Sequence, residues 1–340
     1  MSTDELHSTA RELVAPGKGV LAADESNPTI GKKFEALGIP ADEAHRRDYR
    51  EMLLSTPGLA EFISGVILYD ETIRQQTSGG SPFSDFVAGK GIIPGIKVDT
   101  GAKPLAGSDE KVTEGLDGLR ERLDEYRGLG ARFAKWRAVI EIGDDRPSSY
   151  CIRTNAHALA RYAALCQEAG IVPMVEPEVM MEGDHSLDDC RVATRDTLHA
   201  LFDELHHQRI DLCGIILKGN MVISGKDSSQ QASVQEVAEA TVTLLQEVVP
   251  PAVPGITFLS GGQSEVLASA HLNAMNALDE QPWELSFSYA RALQSPALKR
   301  WMGDATNVEE AQKALYHSAH CNGLARYAKY SPDMEDEAGR

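Results

Sequence analysis

Lys218 closes the run DLCGIILKGN (211–220), which is apolar almost throughout. A lysine at the inner end of a buried strand either reaches water along its own alkyl stem or sits where burial disfavours the ammonium and favours a nucleophilic amine. Its companions bear on that choice. Asp24, Lys97, Lys135 with Arg137, Glu176 with Glu178, the turn Ser260-Gly261-Gly262, and Arg291 each end, lie within or follow another apolar run. Taken singly, Lys97 or Arg291 reads as a solvated strand end, and Asp24 ahead of Glu25 and Ser26 as a helix cap. Glu176 and Glu178 read equally well as partners of cations and as an acid/base pair. Taken together they point to a site, because burying several charges in one place is costly and structure alone seldom calls for it.

The chemistry that such a set supports follows from the amine. Desolvation by the apolar run and repulsion from Lys135 and Arg137 both favour the neutral form of Lys218. A neutral amine condenses with a ketone to a protonated Schiff base, an electron sink that stabilises a carbanion on the adjacent carbon. That is the chemistry of carbon–carbon bond cleavage. FLSGGQS (258–264) adds an anion-binding candidate, since its glycines let backbone N–H groups approach a phosphate at the start of the helix expected from about Gln263. Arg291 would complete that site with a planar charged donor.

Positioning these residues requires a particular set of elements. Apolar, β-branched runs recur at 19–24, 62–70, 91–99, 132–140, 171–179, 212–220, 255–262 and 284–291. Between them, 151–170, 194–209, 233–249 and 263–278 carry the clearest helical periodicity. Gly170 is expected to cap the first of these helices, and Pro250 with Pro251 to stop the third. Strands alternating with helices imply parallel strands joined by crossovers, and eight such units predict an α/β fold, a single-domain (β/α)8 TIM barrel. In such a barrel the active site lies at the C-terminal ends of the strands, where these residues fall, with the phosphate at the loops after strands seven and eight. Alternation along a strand puts Lys135 and Arg137 on one face, and Glu176 and Glu178 likewise. The expected boundaries are a barrel over 1–330 and a short acidic tail over 331–340, read as mobile. The first strand is followed by DESNPTIGKK, without the G-x-G-x-x-G turn of a dinucleotide-binding sheet.

Composition narrows the class. With 42% hydrophobic and 25% charged residues, the 340-residue chain has the make-up of a globular protein. A formal net charge of -18 argues against nucleic acid or an anionic membrane as partner, so an anionic ligand must meet a local cluster of cations. The five cysteines are scattered and lack C-x-x-C spacing, which fits a reducing compartment and no structural zinc. The acidic opening MSTDELHSTAREL has neither a signal peptide's apolar core nor a transit peptide's basic bias, and no run is long enough to span a membrane. The expectation is a cytoplasmic protein.

GVLAADES, GIKVDTG, FAKWRAVI, VPMVEPEV, GIILKGNMV, FLSGGQSE and FSYARALQ, in that order, closely resemble class I fructose-bisphosphate aldolase, from about residue 10 to about residue 330. The resemblance implies a homotetramer that needs no metal or other cofactor. It implies cleavage of fructose 1,6-bisphosphate to dihydroxyacetone phosphate and glyceraldehyde 3-phosphate, in glycolysis and gluconeogenesis. Carried across motif by motif, Lys218 corresponds to the Schiff-base lysine, Glu176 to the acid/base, and Asp24 to the carboxylate near the C4 hydroxyl. Lys135 would polarise and position substrate, Arg137 would add charge, and Glu178 would orient the lysines. Ser260, Gly261 and Arg291 resemble the C1-phosphate site; Ser26 and Lys97, with Lys33 in place of an arginine, resemble the C6-phosphate site.

Three departures from the family pattern bear on these roles. Gly219 follows the reactive lysine where the family has proline. AADESNPTIGKK stands for AADESTGSIGKR, placing Thr29 and Lys33 where serine and arginine are expected, which leaves preference between mono- and bisphosphorylated sugars open. The tail ends in Arg340 where animal members end in a tyrosine, so Tyr327 or Tyr330 becomes the candidate proton donor. A metal-dependent barrel enzyme would want histidines at the strand ends, where none falls. A glycosidase would have no use for the cations. The alternative of another class is a non-catalytic sugar-phosphate sensor or scaffold on the same barrel.

Overall fold

The computed structural model describes residues 3–339, so Arg340 lies outside the described residues. Eight strands close into a barrel: β1 (Gly19–Ala23), β2 (Ile63–Leu68), β3 (Ile93–Lys97), β4 (Phe133–Ile140), β5 (Val172–Val179), β6 (Ile216–Gly219), β7 (Gly255–Phe258) and β8 (Glu284–Tyr289). They follow one another around the ring, and every pairing is parallel, including the closure of β8 on β1. Each of the eight expected runs contains one strand. The helices follow the apolar periodicity, with Ser149–Glu168, Leu187–His207, Val234–Val248 and Glu265–Asn276 at or near the expected places. Gly170 adopts φ 69° just past the first of these, the left-handed stop that glycine permits.

Leu187–His207 begins seven residues before the run marked by periodicity. Its start is a capping box, in which Ser186 accepts from the Asp189 amide and Asp189 accepts from that of Ser186. The expectation also lacked an antiparallel hairpin between β3 and β4, Gly101–Pro104 with Lys111–Glu114. Four residues per strand, one of them proline, carry too little alternation to be read. Thr113 of the hairpin donates to the Arg137 carbonyl at 2.7 Å and so braces the middle of β4.

The barrel interior is layered. At the N-terminal end the helix Thr3–Leu13 stops the lumen with Leu6, Ala10 and Leu13, which pack on Val20, Ile67, Phe133, Met174 and Ile216. Phe133 fills the middle because β2 and β3 pass it as glycines: a Cβ on Gly95 would lie 2.3 Å from its ring. Above this apolar floor, at the C-terminal ends of the strands, the lumen-facing positions are charged. Trp136, between Lys135 and Arg137, points the other way and stacks on Tyr162 of Ser149–Glu168 with centroids 5.6 Å apart. The period-two expectation for this strand therefore holds.

The acidic segment expected to be a mobile tail is folded over 332–339 as a 3-10 helix, Pro332–Gly339. Met334 packs on the main core, and Glu335 accepts the Tyr330 hydroxyl at 3.1 Å.

Candidate active site

Lys218, at the end of β6, is buried, and its Nζ lies 3.1 Å from Glu176 Oε1 on β5. The other oxygen of Glu176 is 3.3 Å from Nζ of Lys135 on β4, which in turn is 2.8 Å from Asp24 Oδ2 just beyond β1. The four side chains run Asp24–Lys135–Glu176–Lys218 across the lumen, alternating in charge, each less than one-tenth exposed. They come from three strands and the residue just beyond a fourth, and meet only because the barrel closes. Asp24 is thus no helix cap; the N-cap of Asn27–Glu35 is Ser26.

Alternation governs the electrostatics. Burial opposes ionisation of Asp24, but Lys135 and then Lys218 outweigh it and bring its pKa down to about 2. Burial likewise opposes the charge on Glu176, and Lys135, Lys218 and Arg137 together keep that pKa below the ordinary value. For Lys135 burial disfavours the ammonium, yet Asp24 and Glu176 raise its pKa well above a free lysine's. The repulsion from Lys135 and Arg137 expected at Lys218 is therefore offset: its ion-pair partner is the carboxylate of Glu176, 3.1 Å away.

Around this row lie the other expected residues. Arg137 pairs with Glu178, so the carboxylate expected to orient the lysines faces the guanidinium instead. Lys97 is held by Asp99, 2.8 Å from Oδ1 and 3.0 Å from the backbone carbonyl. Lys33 meets Glu25 Oε1 at 2.7 Å, and Ser26 Oγ lies 3.0 Å from Thr29 Oγ1 at the first turn of Asn27–Glu35. On the opposite side, buried Ser260 and half-buried Gly261 form a turn in which Gly261 takes φ 53°. Exposed Arg291 donates to the Gln263 carbonyl of the same turn. Helix Glu265–Asn276 begins two residues after the expected place, with Ser264 as its N-cap. Met181 covers the turn, its Sδ 2.6 Å from the Gly262 nitrogen, so an anion reaching that N–H must turn the thioether aside.

Neither tyrosine joins the row. Tyr327 lies against Gly17, ahead of β1 and so at the opposite end of the barrel, and the Tyr330 hydroxyl is taken by Glu335. Several residues that matter here carry no individual signal in the sequence. Glu25 is buried between Lys33 and Arg50 of Glu43–Ser55; burial opposes its charge, but Arg50 and Lys33 hold its pKa below the ordinary value. Asn220 ties the ends of β5 and β6, accepting from the Val179 amide at 3.1 Å and donating to Thr194 at 3.0 Å. Glu25 and Asn220 each adjoin a residue singled out above, which is the one cue available; Arg50 sits on an amphipathic helix like any surface arginine.

Fold and site define a (β/α)8 barrel enzyme with a buried amine–carboxylate row at its C-terminal mouth. A profile of the glycolytic class I fructose-bisphosphate aldolases matches residues 5–340. A probable class 1 fructose-bisphosphate aldolase of Xanthomonas campestris pv. campestris is 59% identical over 97% of this chain and 99% of its own. The fructose-bisphosphate aldolase of Dictyostelium discoideum is 50% identical over 96% and 93%. The solved structure of fructose-bisphosphate aldolase from Plasmodium falciparum superposes with a TM-score of 0.95 at 46% identity, covering 96% of this chain and 95% of that one. The chain belongs to the class I fructose-bisphosphate aldolase family, whose members are Schiff-base-forming lyases.

Proposed function

We propose that the protein carries out its family's reaction, the reversible cleavage of fructose 1,6-bisphosphate to dihydroxyacetone phosphate and glyceraldehyde 3-phosphate, through a Schiff base on Lys218. The observation that carries this reading is the bridge of one buried carboxylate, Glu176, between Lys218 and Lys135. Lys218 first gives a proton to Glu176 across their 3.1 Å contact; the freed amine attacks the C2 ketone, and Glu176 passes that proton to the departing hydroxyl as water is lost to the iminium. Asp24, held ionised by Lys135, takes the C4 hydroxyl proton. The C3–C4 electron pair then moves into the iminium, which becomes an enamine as the aldehyde leaves. Protonation of the enamine at C3 and hydrolysis of the imine return the amine.

Lys135 is poised to polarise the substrate, and Arg137 adds charge beside it. Glu178 fixes the Arg137 guanidinium. Ser260, Gly261 and Arg291 would take one phosphate; Lys97, Ser26 and Lys33 would take the other across the mouth. The iminium is the electron sink, so this mechanism calls on no metal or organic cofactor. We place the working protein in the cytoplasm as a homotetramer, to be checked by light scattering on the purified chain. One quarter-sized particle at working concentration would remove the tetramer.

Incubation with dihydroxyacetone phosphate in EDTA followed by borohydride should leave one reduced adduct per chain, mapped by peptide mass spectrometry to Lys218. Lys218→Met should abolish the adduct and lower kcat by about 10⁴-fold or more while ligand still binds. An adduct elsewhere, or none on a protein that binds the ligand, would overturn the assignment.

A further inference from the structure

A second set of reactive side chains lies where the C-terminal segment folds back, away from the barrel lumen. His317 and Cys321 stand four residues apart on helix Val308–Ala325, so they project from the same face, one turn from each other. Glu335 reaches them from the 3-10 segment Pro332–Gly339. His317 Nε2 lies 3.5 Å from Cys321 Sγ and 3.8 Å from Glu335 Oε2, and the three donor atoms fall within 4.8 Å of one another.

Two of these spacings are at or near those of ligands around one ion, and the third is within reach of a small movement of Glu335. A tetrahedral zinc-class cation, bonded at about 2.0 Å to nitrogen or oxygen and about 2.3 Å to sulfur, separates its nitrogen and sulfur ligands by about 3.5 Å and its nitrogen and oxygen ligands by about 3.3 Å. The histidine–cysteine edge already has that length, and the histidine–glutamate edge needs to close by about half an ångström. The only comparable grouping among the described residues, His7 with Asp211 and Cys213, is different. There His7 Nε2 and Asp211 Oδ2 are 2.6 Å apart, too close for two ligands of one ion, whereas the His317–Cys321 hydrogen bond already has a ligand–ligand separation and an ion would replace only its proton.

The surroundings also fit an ion. Cys321 is buried, whereas the His317 and Glu335 side chains are 20% and 23% exposed, which leaves a side open for a water ligand. The Tyr330 hydroxyl donates to Glu335 Oε1 at 3.1 Å and so orients the carboxylate with its other oxygen toward His317, the support that metal-ligating carboxylates commonly have. A thiolate and a carboxylate with a neutral imidazole would balance a divalent charge.

We propose that His317, Cys321 and Glu335 bind one divalent cation of the zinc class, with water as fourth ligand, and that the ion clasps the acidic segment 332–339 to Val308–Ala325. Binding releases the thiol proton to solvent. The site is separate from the Schiff-base chemistry, so a failure here leaves the proposed function untouched.

Titration of the full-length protein with Co2+ should give one equivalent per chain with thiolate-to-cobalt charge-transfer absorption, bleached by Zn2+. Cys321→Ser should lose that absorption, and Glu335→Gln, on a partly exposed segment where the fold is not at stake, should weaken Co2+ binding roughly tenfold or more. Both should keep fructose 1,6-bisphosphate cleavage, which reports that they have folded. His7→Gln should change nothing. Absence of thiolate absorption in the parent, its survival in Cys321→Ser, undiminished binding in Glu335→Gln, or its loss in His7→Gln would each overturn the assignment.

Discussion

Asp24 keeps its charge in a setting that should suppress it, and that has a consequence for stability. Its pKa falls from 3.8 to about 2 because Lys135 and Lys218 more than offset the cost of burial. A carboxylate depressed on folding adds stability that is complete above its unfolded pKa and is lost as pH drops through the folded one. Here the contribution is about 2 kcal/mol, present above pH 3.8 and lost by about pH 2. Urea unfolding of Asp24→Asn and the parent across that window should show the parent losing stability more steeply; parallel curves would mean that Asp24 is not held ionised. The residue types at the mouth were legible, since each ends or punctuates an apolar run. Their pairing was not: nothing local tells that Glu178 faces Arg137 while Glu176 faces two lysines, because both glutamates share a strand and a face.

At the scale of elements, Gly95 and Phe133 show how the strands set the height of the site. The phenylalanine fills the lumen below Lys135, and glycine on β3 is what lets it lie there, since an added Cβ would be 2.3 Å from the ring. Gly95→Ala should cost about 1–3 kcal/mol through overpacking, read as a lower urea midpoint at unchanged slope. An unchanged midpoint would show that the ring moves aside freely. The eight strands and four of the helices were readable, because their apolar periods are long enough to distinguish, whereas helices such as Glu43–Ser55 and Val308–Ala325 were not singled out. The hairpin 101–114 was not, and the start of Leu187–His207 was missed because a capping box, and not periodicity, sets it.

Across the whole molecule the lumen is an apolar stack under a charged lid. Helix Thr3–Leu13 seals the lower end, with Leu13 fully buried among lumen residues. Leu13→Ala should therefore destabilise the barrel by about 2–5 kcal/mol even though it is remote from the mouth, as measured by chemical unfolding. Cleavage per folded chain should be retained, since no member of the charged row touches that helix. The net charge of -18 makes the local arrangement of cations matter more, because in the proposed assignment Lys97, Lys33 and Arg291 would draw in the sugar phosphates against the field of the whole. The amino-acid sequence alone determined the eight-fold alternation, the barrel it implies, the strand-end positions of the reactive residues and the family to which their motifs point. Those are properties of period, composition and order, each contained within a few tens of residues. Only the tertiary structure decided which charge meets which, that Lys218 shares its carboxylate with Lys135, that Met181 lies on the Ser260–Gly262 turn, and that Met334 and Glu335 of the C-terminal segment pack on the barrel's helices. Each of those joins residues distant in the chain, and their energies depend on separations of a few ångströms that barrel closure and packing create.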